Sequence, residues 1–297
     1  MADLYKFTTY LRAIKHATPY SEIKKQLFYQ FRRGSASSRM LPSFIIIGAQ
    51  KAGTTSLFKY LKNHPEIQEP ARKELFFFDG GKIEGRDIFI EQGLNWYRLH
   101  FPKIRPNHPH ICTYEATTSY LFSPIAAERI WQTLPATRLI AILRNPVDRA
   151  ISHYQHNLRK NREFRPLHEA IRADESLLDA ASSIQPGNTK TKTKLYYSYK
   201  SRGLYHEQLL RYKSFLDKGQ LLILCSQELA DNPTKTLQSI YDFIGLDNNK
   251  TITSSPRHHN ASRKRAKVES ADIEYLKNYF ELPNKQLFEL LGRQFAW

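Results

Sequence analysis

The chain has 297 residues, of which 41% are hydrophobic, 12% aromatic and 25% charged, a globular composition that excludes collagenous, coiled-coil and disordered chains. Forty-five basic residues against 28 acidic ones leave a formal net charge of +17, which points to an anionic substrate or partner without choosing among nucleic acid, membrane and phosphate. Cys112 and Cys225, the only two cysteines, fall in apolar runs and read as buried thiols of a reducing compartment, so a disulfide scaffold is excluded.

Along the chain, residues 1–33 hold no apolar signal core, because Lys6 and Arg12 interrupt the stretch 5–14, and no later run is apolar for the ~18 residues a membrane span needs. A cytoplasmic protein without a transmembrane segment is expected. In residues 20–33, Ile23, Leu27, Phe28 and Phe31 recur at helical spacing among lysines and arginines, which predicts a helix docked on the domain, with a membrane- or partner-facing basic helix as the alternative. Residues 34–39 are a small, polar linker, so residues 1–40 form a basic helical extension and 41–297 the main domain. Residues 43–48 (SFIIIG) read as a strand buried on both faces, and 54–63 as the helix that follows. Segments 74–78 and 111–114 look like short strands, 139–143 (LIAIL) and 221–225 (LLILC) like buried ones. Helical periodicity marks 146–159, 204–218, 234–244 and 271–280. Alternation of this kind predicts a single α/β domain whose mostly parallel central sheet is flanked by helices. Residues 180–194 read as a mobile loop, and 251–267 as a basic loop.

The segment Gly48-Ala-Gln-Lys-Ala-Gly-Thr-Thr-Ser56 leaves a buried strand and opens a helix, where backbone amides and the helix dipole cradle phosphate. It departs from a nucleoside triphosphatase loop: Thr54 and Thr55 follow the second glycine, and the lysine stands earlier, at Lys51. The strand 139–143 is followed by Arg144 instead of a magnesium-binding aspartate. A guanidinium there binds phosphate directly. Arg144 then enters RNPVDRAIS, with Pro146 as a first helical residue and Ser152 two turns on. Taken singly, Arg144 and Arg149 also read as surface ion-pair partners of Asp148 or Glu163.

GAQKAGTTSL at 48–57, KELFFFD at 73–79 and RNPVDRAISHY at 144–154, in this order, resemble the sulfotransferases that use 3′-phosphoadenosine 5′-phosphosulfate (PAPS) and release 3′-phosphoadenosine 5′-phosphate (PAP). The likeness runs from about residue 44 to the C-terminus and is similar to the carbohydrate, heparan-type branch in a bacterial-type soluble form. It implies that Lys51, Ala52, Gly53, Thr54, Thr55 and Ser56 hold the 5′-phosphosulfate. It further implies that Arg144 and Ser152 bind the 3′-phosphate, that Arg263, Lys264 and Arg265 close over it, and that no metal is used.

Sulfuryl transfer needs a deprotonated acceptor, charge stabilisation and help for the leaving oxygen. Lys51 suits the last role. Glu74, at the start of an aromatic segment where desolvation raises a carboxylate pKa, suits the general base, the role of the glutamate at this place in the resembled branch; taken alone it also reads as a surface ion-pair partner of Lys73 or Arg72. The histidine base of the branch acting on phenols and steroids makes His100, His110 and His153 the alternatives. Heparan-type enzymes carry a lysine after the glutamate matching Glu115, where this chain has Ala116. The acceptor is therefore read broadly, as a hydroxyl or amine of a small molecule, lipid or sugar, in keeping with natural product biosynthesis. Its contacts are expected in 78–98, 120–127 and 180–199. A P-loop kinase of a small molecule and a basic nucleic-acid-binding protein are the rival readings. Dispersed basic residues count against the second, and nucleic acid is not an expected partner.

Overall fold

The run FIIIG forms β1 (Phe44–Gly48), which is buried along its whole length. A strand apolar on both faces belongs in the middle of a sheet covered by helices. Accordingly, β3 (Cys112–Ala116) pairs with one side of β1 and β4 (Arg138–Leu143) with the other. β2 (Ile67–Gln68) lies outside β3 and β5 (Leu221–Cys225) outside β4, giving the order β2-β3-β1-β4-β5 with every pair parallel. The computed structural model describes residues 18–81, 86–173, 197–247 and 268–297. Loop segments 180–194 and 251–267, and with the latter Arg263, Lys264 and Arg265, lie outside the described residues.

Helices follow the strands and cover both faces: α1 (Thr18–Arg33), α2 (Thr54–Leu61), α3 (Ile88–Arg98), α4 (Ala126–Thr133), α5 (Pro146–Arg159), α6 (Leu167–Ala173), α7 (Tyr205–Leu210), α8 (Lys213–Asp217), α9 (Ser226–Asp231), α10 (Pro233–Ile244) and α11 (Ser270–Leu291). The sequence marks the starts of α5 and α10 most sharply. Asn145 Oδ1 accepts from the Val147 amide at 2.9 Å and Asn232 Oδ1 from the Lys235 amide at 3.0 Å, each ahead of a proline in the first turn. A second apolar cluster, with Val147, Ala150, Tyr154, Leu276 and Phe280, packs α5 against α11. Among the described residues no helix is long and apolar enough to cross a membrane.

Several expectations are corrected. Residues 74–78 are not a strand: Glu74 and Phe76 have φ of 63° and 56°, which no ladder accommodates. Their aromatic side chains are packed, with Phe77 and Phe78 fully buried, and it is packing that the sequence pattern reports. The stretch 204–218 divides into α7 and α8, and the helix expected to end at 280 runs on to Leu291 past Pro283. α1 is docked, through Tyr29 stacked on Trp96 at 5.9 Å and Arg32 Nη1 donating to Leu99 O at 2.8 Å. Yet Ile23, Leu27 and Phe31 face solvent, and of the four apolar residues only Phe28 meets the domain, against His100. Cys225 is buried but Cys112 only half-buried, and β1 and β4 separate their strands; both thiols are free.

Candidate active site

The central strand delivers the phosphate loop to the C-terminal edge of the sheet, the edge where open parallel sheets bind ligands. Gly48 ends β1 so close to the next loop that a Cβ would stand 2.7 Å from Leu121 Cβ. The Ala49 amide donates to Ile142 O at 2.8 Å, tying the loop to β4. Gly53 caps α2 at φ 101° with no side-chain cap, so the first-turn amides of the helix open onto the loop. Lys51 is held at φ 71°, a conformation rare outside glycine and concentrated at functional sites.

Lys51, Ala52, Gly53 and Ser56 line a cavity of about 610 Å³ together with Arg144, Asn145, Ser226, Gln227 and Trp297. Arg144 Nη1 donates to Lys51 O at 3.2 Å, which joins the glycine loop directly to the segment after β4. The predicted ion pair of Arg144 with Asp148 is present but long, at 3.8 Å between a one-third-exposed guanidinium and a largely solvated carboxylate. Arg149 behaves differently: it is fully buried and donates to Tyr199 O, while Glu163 pairs with Arg165 at 2.8 Å. Burial pushes the Lys51 pKa down to about 8, helped by Arg159, Arg144 and Arg149. An ammonium already desolvated and surrounded by cations gains most from an incoming anion. Thr54 is buried, Thr55 half-buried, and Ser152 half-buried on α5; these three lie off the cavity wall.

Glu74 approaches the same loop from β3's side. Lys73 Nζ bridges Thr55 Oγ1 at 3.3 Å and Glu74 Oε1 at 3.0 Å. Thr118 Oγ1 donates to the two carboxylate oxygens at 3.2 and 3.4 Å, and the Thr118 amide to Oε2 at 3.4 Å. The side chain keeps 27% of its surface exposed, enough to meet an acceptor. The alternative histidines fare differently. His100 is enclosed by Phe28, Tyr29 and Trp96, and burial lowers its pKa to about 4. His110 stands at the surface, 3.9 Å from Glu66. His153 is buried against Tyr199, and burial with Arg149, Arg202, Lys51 and His156 holds it well below the usual imidazole range. Neither His100 nor His110 lines the cavity, and His153 faces the interior.

The expected pairing of Lys73 with Glu74 is present, at 3.0 Å, but its second bond, to Thr55, was not foreseen, and sequence reasoning missed Thr118, Ser226, Gln227 and Trp297. Thr118 lies just past the Glu115-Ala116 pair, and only the fold brings it to Glu74.

Residues 41–278 match the protein family described as Sulfotransferase domain. The chain is 26% identical to the membrane-associated sulfotransferase kil1 of Dictyostelium discoideum, across 86% of this chain and 66% of that protein. It is 27% identical to heparan sulfate glucosamine 3-O-sulfotransferase 3B1 of Mus musculus, across 88% of this chain and 66% of that protein. The chain thus spans just under two thirds of the length of these relatives. Among solved structures, a sulfotransferase from Alicyclobacillus acidocaldarius superposes with a TM-score of 0.68 at 27% identity, over 86% of this chain and 98% of that one.

Proposed function

The chain belongs to the sulfotransferase domain family, a family of PAPS-dependent enzymes, and from that premise we propose that it moves the sulfuryl group of PAPS to an acceptor hydroxyl or amine with Glu74 as general base. The acceptor is a small molecule, lipid or sugar. A sugar hydroxyl is favoured by the relatives whose names include heparan sulfate glucosamine 3-O-sulfotransferase. The observation that carries the reading is the bridge from Thr55 on the phosphate loop through Lys73 to Glu74, at 3.3 and 3.0 Å. A carboxylate beside a cationic phosphate cradle, partly open to solvent, is what a transfer site requires.

The residues fit a polyanionic nucleotide. Lys51 lies desolvated among arginines beside a cavity of about 610 Å³, and loop, Arg144 and α2 amides converge there. When bound, PAPS supplies an activated sulfuryl group on a phosphate leaving group. Loop amides of 51–56 other than those of Ala52 and Ser56, which bond Ala49 O and Gly53 O, hold the 5′ end with the Ser56 hydroxyl, and Arg144 holds the 3′-phosphate. Thr54, Thr55 and Ser152, off the wall of the unliganded cavity, join them once the nucleotide is seated, with Arg263, Lys264 and Arg265 contributing from outside the described residues. Lys51 places its ammonium against charge developing on the departing oxygen, an interaction stronger in the transition state than before it. Glu74 takes the acceptor proton, and Thr118 with Lys73 keeps the carboxylate oriented.

The test is sulfate transfer from [³⁵S]PAPS to a panel holding a heparosan oligosaccharide, 4-nitrophenol, a sterol and an aminosugar. Glu74→Gln should keep PAP binding within about twofold and lose roughly 10²–10⁴ in kcat, the range a positioned base supplies. Near-normal turnover by this variant would remove Glu74 from the mechanism.

A further inference from the structure

One buried carboxylate has no part in the chemistry above. Glu115, in β3, is fully buried, an expensive place for a charge unless hydrogen bonds offset the loss of water. It accepts from Thr117 Oγ1 at 2.7 Å and Tyr120 Oη at 2.7 Å through Oε1, and from Tyr97 Oη of α3 through Oε2. A hydroxyl has one proton and two lone pairs. With their protons committed to Glu115, Thr117 and Tyr120 can only accept from anything else.

What they accept from is the segment that carries Glu74. The Leu75 and Phe76 amides donate to Thr117 Oγ1 at 3.0 and 3.4 Å, and the Phe77 and Phe78 amides to Tyr120 Oη at 3.0 and 3.4 Å. Four consecutive amides that belong to no strand ladder are thus held by two hydroxyls, both polarised by one carboxylate. The Glu74 amide adds a bond to Ala116 O at 2.9 Å. The segment needs this hold: Glu74 and Phe76 sit at positive φ, a costly conformation for residues with a side chain that only over-determined surroundings sustain.

We propose that Glu115 is a positioning residue for transfer, acting through Thr117 and Tyr120 to fix residues 74–78 and so aim the Glu74 carboxylate at the acceptor; this rests on the reading of Glu74 as the base. The ionised carboxylate matters because it is acceptor-only, and since burial pushes the Glu115 pKa up to about 7 the measurements below are made at pH 8, where that form predominates. An amide at 115 keeps one oxygen to accept from Thr117 and Tyr120 and turns its NH₂ to Tyr97 Oη, so Glu115→Gln removes the charge that polarises the two hydroxyls, whereas Thr117→Val removes the acceptor of the Leu75 and Phe76 amides outright. Thr118, next along the chain, holds Glu74 directly, so β3 and the turn after it govern both the backbone and the side chain of the base.

The test combines Glu115→Gln, Thr117→Val, Thr117→Ser and Tyr120→Phe with two measurements. In the first, amide hydrogen exchange of 74–78, which needs no acceptor, should quicken at least tenfold in Thr117→Val, by a smaller factor of at least threefold in Glu115→Gln, and stay near wild type in Thr117→Ser. In the second, PAP release with the most active acceptor of the panel should fall at least tenfold in kcat for Thr117→Val and at least threefold for Glu115→Gln. PAP Kd and acceptor KM should hold within about twofold, and serine should restore the rate. Placed in the Glu74→Gln background, Thr117→Val should cost less than twofold more, because its effect passes through Glu74. Unchanged exchange at 74–78, wild-type kcat in Thr117→Val, or an undiminished loss in the Glu74→Gln background each overturns the proposal. Should Glu115→Gln fail to fold, the threonine pair decides. If Glu74→Gln alone turns over normally, the base reading fails by itself, and the exchange data still decide whether Glu115 holds the segment.

Discussion

Lys51 makes nucleotide binding pH-dependent in a window that can be specified in advance. Its pKa in the unliganded protein lies at about 8, so near pH 7 the ammonium is mostly formed and near pH 9 mostly lost. PAP binds the charged form and, as an adjacent anion, raises the lysine pKa in the complex. The sign follows: binding takes up a proton above pH 7, and Kd rises with pH toward a slope of one decade per unit. For a pKa of 8 the weakening between pH 7 and pH 9 is about tenfold, or ~1.4 kcal/mol. The phosphates contribute little here, because their last ionisation lies near pH 6. Isothermal titration calorimetry in two buffers of different ionisation enthalpy should register about half a proton taken up per PAP at pH 8. Lys51→Arg should abolish both the slope and the proton uptake while retaining affinity at pH 9, since a guanidinium stays charged. A flat wild-type profile would mean that Lys51 does not face the bound nucleotide, and a slope that survives in Lys51→Arg would assign the titration to another group.

Arg144→Ala should weaken PAP by about 2 kcal/mol, toward the low end of what a lost charge partner costs because the guanidinium is a third exposed; adenosine 5′-phosphosulfate, without a 3′-phosphate, should bind the variant and the wild type alike in competition assays. PAP should raise Tm to the same extent with and without EDTA, as cations and amides supply the phosphate contacts; stabilisation lost on chelation would count against a metal-free site. Gly48→Ala should lower stability by about 1–3 kcal/mol in urea titration, because its methyl would meet Leu121 Cβ at 2.7 Å, an atom that no rotamer change moves.

The strands β1, β4 and β5 and the helix α5 were legible because each is decided locally. FIIIG, LIAIL and LLILC are apolar on both faces, and Asn145-Pro146 is a helix start by itself. Two-residue β2 carries too little pattern to be seen, and it exists only because β3 offers an edge. Residues 74–78 misled for a related reason. Their aromatic density reports burial, which a strand and a side-chain-anchored loop share, and the choice between them lies forty residues away in Thr117 and Tyr120. In α1 the apolar period was real but did not name the buried face: Tyr29 and Arg32 dock the helix through ring stacking and a carbonyl, and leave Phe31 82% exposed.

The same division governs the site. That Lys51, Gly53, Ser56 and Arg144 come together on one cavity was readable because the arrangement is a property of short segments: a strand, a turn and a helix start place amides and cations without distant help. Catalytic geometry is not local in this way. Glu74 depends on Thr118 for its carboxylate and on Ala116, Thr117 and Tyr120 for its backbone, all from the segment that sequence reading used only for the lysine replaced by Ala116. Within that segment Ala116 is fully buried in the core and serves Glu74 only through its carbonyl oxygen, so the small residue there answers to packing. Glu115 and Thr117, on the other face of the strand, hold the backbone of 75–78; packing and positioning are thus divided between the two faces of one strand.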